Sequence, residues 1–554
     1  MLPPSLRAGR NATALSLVLL VSGALRVHAL PPDPIWTWLY DSGFDDRALS
    51  IASDGAGAVY VGGAAALPPN PRDMTIVEYG MDGVVGFVSH YDGGADDFLS
   101  AIALDGVGHL YGAGESFLGG DYDITLAKWE VGGDLVWARS WDFGDIDHGT
   151  DLAIDRSGDL YVVGETGGWV EPNLIVVKFD SAGDTLWTRS FDSGYDDWIA
   201  QVALDSAGAV FLAGNMYVGD RSAWNLIKYD WDGSMIWSVT SDTSEDATCW
   251  DVKAGPGGGV YLTGSQGIAD RNVAVHAFDP YGNPRWNQSF DWGGDEEGQG
   301  LAIDAAGAVF VVGHRVTNKT LDPLLLKLTS DGEPLWIYDP DFTEDVMAFD
   351  VAVDRNGYLF VAAARDNGVD YDFKTDVYAQ YLSIGGRVCH GGVGLPGVEV
   401  VIEGGLSGSC TTDSDGAFRF DGLPCAYQYR VFPSAQGYSF SPPDYTYPLL
   451  GYDFVNQDFD AVVTAIPGAH PARLTLSVPS PVLHEATVSV SLPVTAGVTL
   501  DALDLSGRLV ETLADGIMAA GAHLVRWAPA RSGVYVIRLE TVGACETRRV
   551  VAIR

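Results

Sequence analysis

At 554 residues the chain exceeds what one ordinary core organises, so about three domains are expected. Apolar residues make up 47% and the 68 glycines follow no collagen-like period, which excludes a disordered or collagenous chain and fits a turn-rich all-β protein. With 32 Lys and Arg against 74 Asp and Glu, the net charge of -42 repels phosphate backbones and anionic lipid heads, which excludes nucleic acid as a partner.

The first 29 residues carry the three parts of a secretory signal. Arg7 and Arg10 give a basic start, Ala12 to Leu25 an apolar stretch, and Val27-His28-Ala29 a small-x-small cleavage site. Residues 1–29 are therefore expected to be a signal peptide, and the protein to be secreted or held at the cell surface. The apolar stretch is too short to span a bilayer and no later segment is long enough, so no transmembrane helix is expected in the mature chain. The five cysteines (Cys249, Cys389, Cys410, Cys425 and Cys545) are odd in number and none has C-x-x-C spacing, which disfavours a zinc ribbon and leaves any pairing open.

From residue 30 to 382 one unit recurs seven times. An aromatic column runs through Trp36, Phe87, Trp137, Trp187, Trp237, Trp286 and Trp336 at steps of 49 to 51 residues. Five residues after each stands an aspartate: Asp41, Asp92, Asp142, Asp192, Asp242, Asp291 and Asp341. A second acidic column follows at Asp45, Asp96, Asp196, Asp246, Asp295 and Asp345, broken by Ile146. Next comes a D-x-x-G turn, with Gly255 once in place of the Asp, and three residues on another aromatic, as at Tyr111, Tyr161 and Phe211. Within a unit, Leu152–Asp155, Leu160–Gly164, Leu174–Phe179 and Leu186–Phe191 are short apolar runs parted by turns, which predicts a four-stranded antiparallel sheet. Such a sheet has two apolar faces, and radial stacking buries both. Large aromatics and small glycines are then expected to meet between blades. The run Ile35–Tyr40 precedes the first three-strand set and the last set lacks a fourth, so the N-terminal strand is expected to complete the seventh blade.

By these residues the region resembles the SBBP-type β-propeller repeat family, whose units read I-A-x-D-x-x-G-x-V-Y-V-x-G and then V-x-K-Y-D-x-x-G-x-x-x-W. Lys128, Lys178, Lys228 and Lys327 match the family lysine, whereas Glu78, Ala277 and Gln380 depart from it. The resemblance implies a fold and a surface location, with little chemistry.

Residues 383–461 read as strand, turn, strand, with Gly385 to Ile402, Thr411 to Pro424 and Tyr429 to Pro433 as the segments that resemble a carboxypeptidase regulatory-like, prealbumin-type β-sandwich. Asp413-Ser-Asp-Gly416 suits a hairpin turn better than a calcium loop. A linker over 462–472 contains Pro467, Gly468 and Pro471. Residues 473–554 resemble the FlgD-like immunoglobulin and type IX secretion sorting domains through Leu503-Asp-Leu-Ser-Gly-Arg508, Ala520 to Trp527 and Ser532-Gly-Val-Tyr535. The opening Ser480-Pro481 departs from the family's Asn-Pro. The resemblance implies a type IX-like secretion machinery as partner. The fold class expected overall is all-β, a seven-bladed β-propeller followed by two small β-sandwich domains.

The acidic loops are the candidate site. Loops from the outer strand of one blade to the inner strand of the next emerge on one face, so the two aspartate columns ring it. A hard cation such as Ca²⁺ takes six to eight oxygens, and D-x-G-x-D-[DE] supplies several. The competing reading makes each Asp a turn cap, with Gly43, Gly94, Gly144, Gly194 and Gly293 supplying the bend. No nucleophile elbow, zinc-protease helix or phosphate loop is present in the sequence. The expected function is thus non-enzymatic binding of an extracellular protein or glycan. The alternatives are an extracellular glycoside hydrolase or lyase using the irregular places (Asp147-His148, the blade around Cys249 and Gly255, the Arg365–Asp376 loop) and a structural matrix component.

Overall fold

The computed structural model describes residues 30–67, 72–168, 172–241, 246–268, 270–316, 320–339, 344–463, 474–542 and 544–553. The expected signal peptide and most of the expected linker fall outside them. The contact pattern divides the chain into two units: Met1–Arg387 with Val400–Phe432 and Asp444–Asp458, and Val388–Glu399 with Pro433–Pro443 and Phe459–Arg554. Among the described residues no helix is long and apolar enough to cross a membrane.

The first unit is built on seven four-stranded antiparallel sheets of the propeller type. One of them runs His148–Ile154, Leu160–Thr166, Asn173–Phe179, Thr185–Phe191 in spatial and chain order. Its second and third strands are buried on both faces and read as continuous apolar runs, such as Leu160-Tyr-Val-Val. The outer strand is largely exposed. The innermost strands Asp46–Ser53, Asp97–Leu104, His148–Ile154, Asp197–Leu204, Ala247–Ala254, Glu296–Ile303 and Val346–Val353 touch in that order, and the last meets the first.

Each innermost strand carries a register shift near its middle, as between Gly149 and Asp151. At four sheet-to-sheet contacts the side chain of the residue just past the bulge accepts a backbone N–H from the next sheet. Asp151 Oδ2 takes Val202 N at 2.8 Å, Asp251 Oδ2 takes Leu301 N at 2.7 Å, and Asp350 Oδ2 takes Ile51 N at 2.9 Å. Ser50 Oγ takes Ile102 N at 3.2 Å. Lys253 reaches Asp251 at 2.6 Å. Burial alone would lower the lysine's pKa, but the carboxylates of Asp251, Asp151 and Asp350 outweigh it and hold the ammonium charged.

Away from the axis the seam is aromatic on glycine. A Cβ at Gly183 would lie 3.0 Å from the Trp137 ring of the preceding sheet, at Gly282 3.1 Å from Trp237, and at Gly332 2.7 Å from Trp286. Trp286 Nε1 also donates to Ser330 O at 2.9 Å, and Trp237 Nε1 to Pro280 O at 3.3 Å. Four lysines of the third strands sit over the second-strand aromatics, Lys178 at 4.8 Å from the Tyr161 ring centre and 3.0 Å from Asp159. Lys128, Lys228 and Lys327 lie over Tyr111, Phe211 and Phe310 in the same way. Where Gly255 replaces the turn aspartate, a short 3-10 turn at Pro256–Gly258 keeps the hairpin, and Tyr261 fills the space a Cβ would need.

The N-terminal strand joins the sheet of Val346–Val353, Tyr358–Asp366 and Tyr371–Ala379. Asp33–Tyr40 pairs antiparallel with Tyr371–Ala379, with Trp36 opposite Val377, Trp38 opposite Thr375 and Tyr40 opposite Phe373. Thr37 Oγ1 donates to Asp376 Oδ1 at 2.5 Å across the pair.

The first unit also holds Tyr381–Arg387 paired with Ala417–Pro424, and Tyr429–Val431 paired with Tyr445–Tyr447. Lys327 donates to Asp453 Oδ2 at 2.8 Å, while Ser383 N donates to the other oxygen of that carboxylate at 2.7 Å. In the second unit, strands from Thr475 to Ile553 form a three-stranded and a five-stranded sheet over a core that includes Val488, Leu500, Trp527 and Leu539. Asp504 caps Ser506 N and Arg508 N in one hairpin, and the Trp527 and Tyr535 rings meet edge to face at 5.3 Å.

Deleting Asp33–Tyr40 exposes Phe373 and Val377 and opens the ring; it is expected to cost at least about 4 kcal/mol, against ~0.5 kcal/mol for an ordinary surface change. An unchanged thermal midpoint would remove the clasp as a stabilising element. Gly332→Ala, at φ 85° against the Trp286 ring, is expected to cost on the order of 1–3 kcal/mol in chemical denaturation.

Candidate functional site

The face that carries the acidic loops is built from three columns. In the first, Asp41, Asp92, Asp142, Asp192 and Asp291 each accept the N–H of the glycine two residues on (Gly43, Gly94, Gly144, Gly194, Gly293) at 2.6 to 2.8 Å. These glycines have φ between 79° and 142°, the left-handed region that a turn of this kind requires. Asp242 and Asp341 lie outside the described residues.

The second column is set against the neighbouring loop. Asp45 Oδ2 pairs with Arg72 at 2.8 Å, Asp246 Oδ1 accepts Ser222 N at 2.8 Å, Asp295 Oδ1 accepts Arg271 N at 3.2 Å, and Asp345 Oδ1 accepts Leu321 N at 3.0 Å. Asp96 and Asp196 use their carbonyls, which accept Phe117 N at 2.9 Å and Tyr217 N at 3.0 Å. The two columns of one loop therefore serve different neighbours.

A third column follows immediately, the last position of D-x-G-x-D-[DE], whose burial the sequence did not give: Asp46, Asp97, Asp147, Asp197 and Glu296, all fully buried. Their peptide N–H groups bond to the preceding sheet, as Asp97 N to Arg72 O at 3.0 Å and Asp147 N to Tyr122 O at 2.8 Å. Their carboxylates turn back onto the loop. Asp46 accepts Ser42 N, Asp97 Gly93 N and Asp147 Phe143 N, each at 2.6 Å. Burial pushes the carboxyl pKa of Asp46 and Asp147 up to about 6 and that of Glu296 up to about 7, and raises Asp97 and Asp197 as well. The signal that points to this column is the doubled acid itself, as in Asp45-Asp46 and Asp96-Asp97. Ala247 and Val346 interrupt the column in the other two units.

One residue further, at the start of each innermost strand, the repeat stops. The position reads Arg47, Phe98, His148, Trp198, Thr248, Glu297, Met347, seven different side chains, each at least partly exposed. The guanidinium of Arg47 lies 4.8 Å from the Tyr371 ring centre, and that of Arg72 5.2 Å from Phe98. Trp198 stacks on Tyr217 at 5.2 Å and meets Trp250 edge to face at 6.2 Å. Tyr217 and Tyr195 are about half exposed. His148 Nδ1 bonds to Glu115, and its ring lies 6.0 Å from Tyr122. That hydrogen bond, with the charges of Glu115, Glu165 and Asp147, raises the imidazole pKa against the opposing effect of burial. The pair therefore favours an imidazolium, which donates a proton rather than abstracting one.

On the opposite face, the D-x-x-G turns of successive sheets border a cleft of about 1010 Å³ lined by Asp155, Asp205, Pro256 and Asp304, with Trp187 and Trp231 at its side. All five cysteines are free thiols; Cys249 and Cys425 are buried, and burial raises both pKa values.

No protein-family model matches the chain, and no curated protein matches it. Among solved structures, an ulvan lyase of a polysaccharide lyase family, bound to a GlcA(1-4)Rha3S saccharide, is 10% identical over 60% of this chain and 94% of its own, with a TM-score of 0.41. The polysaccharide lyase Uly1 is 9% identical over 65% and 93%, with a TM-score of 0.40. The β-propeller domain of the trilobed protease from Pyrococcus furiosus is 10% identical over 62% and 94%, with a TM-score of 0.39. These values carry no chemistry across to this chain.

Glu296 is the buried carboxyl whose raised pKa is most readily tested. Asp291 and Asp270 raise it beyond burial, and Arg315 opposes them. The folded chain holds this proton more tightly than the unfolded chain, so stability falls as pH rises from the ordinary glutamate range towards about 7. Glu296→Gln removes that loss. The variant is expected to melt above the wild type at pH 7.5, with the gap closing below about pH 4 in scanning calorimetry.

Proposed function

We propose that this is an exported, non-catalytic propeller protein that binds an extracellular saccharide on the face of the acidic loops, with SBBP-type repeats as scaffold. The observation that carries the reading is the column from Arg47 to Met347, where seven equivalent positions hold seven different side chains. The acidic columns just before it recur from sheet to sheet, whereas this partly exposed position does not, as expected where side chains face a ligand rather than a neighbouring sheet. Trp198 stacked on half-exposed Tyr217 offers the flat apolar surface, and His148, Glu115 and Glu297 the polar groups, that a pyranose needs for stacking and hydrogen bonding.

In this reading the carboxypeptidase regulatory-like segment is a spacer and residues 473–554 are a type IX-like sorting domain. Support for the latter comes from the motif residues: Asp504 caps a hairpin, and Trp527 and Tyr535 share one core. Catalysis by a glycoside hydrolase or lyase is the second reading, favoured by the His148–Glu115 pair at the rim.

Trp198→Ala and Tyr217→Ala are each expected to weaken binding on a polysaccharide array by about tenfold or more, as for buried aromatic anchors. Trp231→Ala, exposed on the other face, is expected to leave it unchanged. An array on which the wild type binds nothing, or on which Trp198→Ala binds equally well, removes the saccharide reading. Depolymerisation of a bound polysaccharide that is lost in His148→Ala establishes the catalytic one.

A further inference from the structure

Three acidic side chains converge at several junctions between sheets: one from the start of a third strand, one from the first loop column and one from the buried third column. At two junctions, Asp123/Asp142/Asp147 and Asp73/Asp92/Asp97, one carboxylate oxygen from each residue lies within 4.8 Å of the other two. The two sets occupy the same positions one repeat apart, and neither depends on the saccharide rim.

A cluster of acids is ordinary in so acidic a protein, but two further features set these apart. Asp147 and Asp97 are fully buried, and in each Oδ1 receives no hydrogen bond although Oδ2 holds a loop N–H at 2.6 Å. A buried carboxylate oxygen left bare is costly unless something positive meets it. The charges acting on Asp147 and Asp123 are all carboxylates, those of Asp121, Asp123 and Asp142.

The equivalent junction at Asp372/Asp41/Asp46 shows how the chain compensates when it does so by itself. There Ser42 gives Asp46 both its N–H, at 2.6 Å, and its hydroxyl, at 2.7 Å. Asp372 accepts Asn367 Nδ2 at 2.9 Å and faces Arg365 at 3.8 Å. At Asp147 and Asp97 the place of Ser42 is taken by Phe143 and Gly93, which have no hydroxyl to give, although the Ser116 hydroxyl lies against Asp97. At two others the strand carboxylate is replaced by neutral Asn173 and Asn272.

We propose that Asp123, Asp142 and Asp147 bind one hard divalent cation, Ca²⁺ by ligand chemistry, and that Asp73, Asp92 and Asp97 bind a second. Carboxylate oxygens no more than 4.8 Å apart match the span around one ion with bonds of about 2.3–2.6 Å, and water completes the shell. The capping of Gly144 and Gly94 uses Oδ1 of Asp142 and Asp92 and leaves their Oδ2 for the ion. Each ion ties a loop to the third strand of the sheet before it.

The test uses the full chain stripped with EDTA, titrated with Tb³⁺ and then with Ca²⁺ in calorimetry. Trp141 and Tyr91, next in sequence to Asp142 and Asp92, are placed to sensitise Tb³⁺ emission. The expected result is two equivalents bound, emission quenched by Ca²⁺, and a higher melting temperature with Ca²⁺ than with EDTA. Asp147→Asn is expected to lose one equivalent and Asp97→Asn the other, while Asp46→Asn keeps both. Circular dichroism establishes that each variant folds; where Asp147→Asn does not, the less buried Asp123→Asn reads the same site. Absence of binding by the wild type at millimolar Ca²⁺, or an unchanged stoichiometry in these variants, overturns the proposal.

Discussion

The ring leans on one kind of contact made repeatedly: at Gly133, Gly183, Gly282 and Gly332 the outer-strand aromatic of one sheet packs against the turn glycine of the next. The glycine has no Cβ to obstruct the ring and takes the positive φ its turn needs, so one residue type meets both demands. The outer-strand aromatic and the turn must sit at fixed places in the sheet, and this goes with the repeat spacing of about fifty residues. The lysine over the second-strand aromatic and the bulge side chains near the axis extend the same seam inwards. Sheets with two apolar faces have no other way to leave water.

That regularity is why so much was readable in advance. The aromatic columns, the D-x-x-G turns and the unpaired first strand point to a closed array of four-stranded sheets, and Asp33–Tyr40 does pair with Tyr371–Ala379. The first acidic column behaves as turn chemistry predicts, each aspartate holding its glycine. The burial of the third column was missed for a physical reason: Asp46 and Asp97 stand beside Asp45 and Asp96, and sequence alone does not say which of two adjacent acids a strand turns inwards. Burial is set by the loop of the preceding sheet, some twenty-five residues earlier in the chain. The rim column was hidden by its own irregularity, since a search for repeats passes over positions that do not repeat.

The molecule thus separates its two tasks by column. Side chains that recur hold neighbouring sheets together and tolerate little change. Side chains that differ, from Arg47 round to Met347, stand partly exposed at the starts of the innermost strands, which is where the proposed saccharide site is drawn. Within a single loop these roles are adjacent: Asp147 is sealed in the junction and His148 opens to the rim.

The strand that completes the ring brings together residues more than three hundred positions apart, as in the bond from Thr37 to Asp376. Until Tyr371–Ala379 is available, Asp33–Tyr40 has no partner. Every other sheet forms from contacts between near neighbours in the chain and can assemble early. Closure is therefore the slow event in folding, because a very long loop must be drawn shut before the last edge finds its pair. In the interval that edge lies open, and it is the surface that a neighbouring chain in the same state would most readily join.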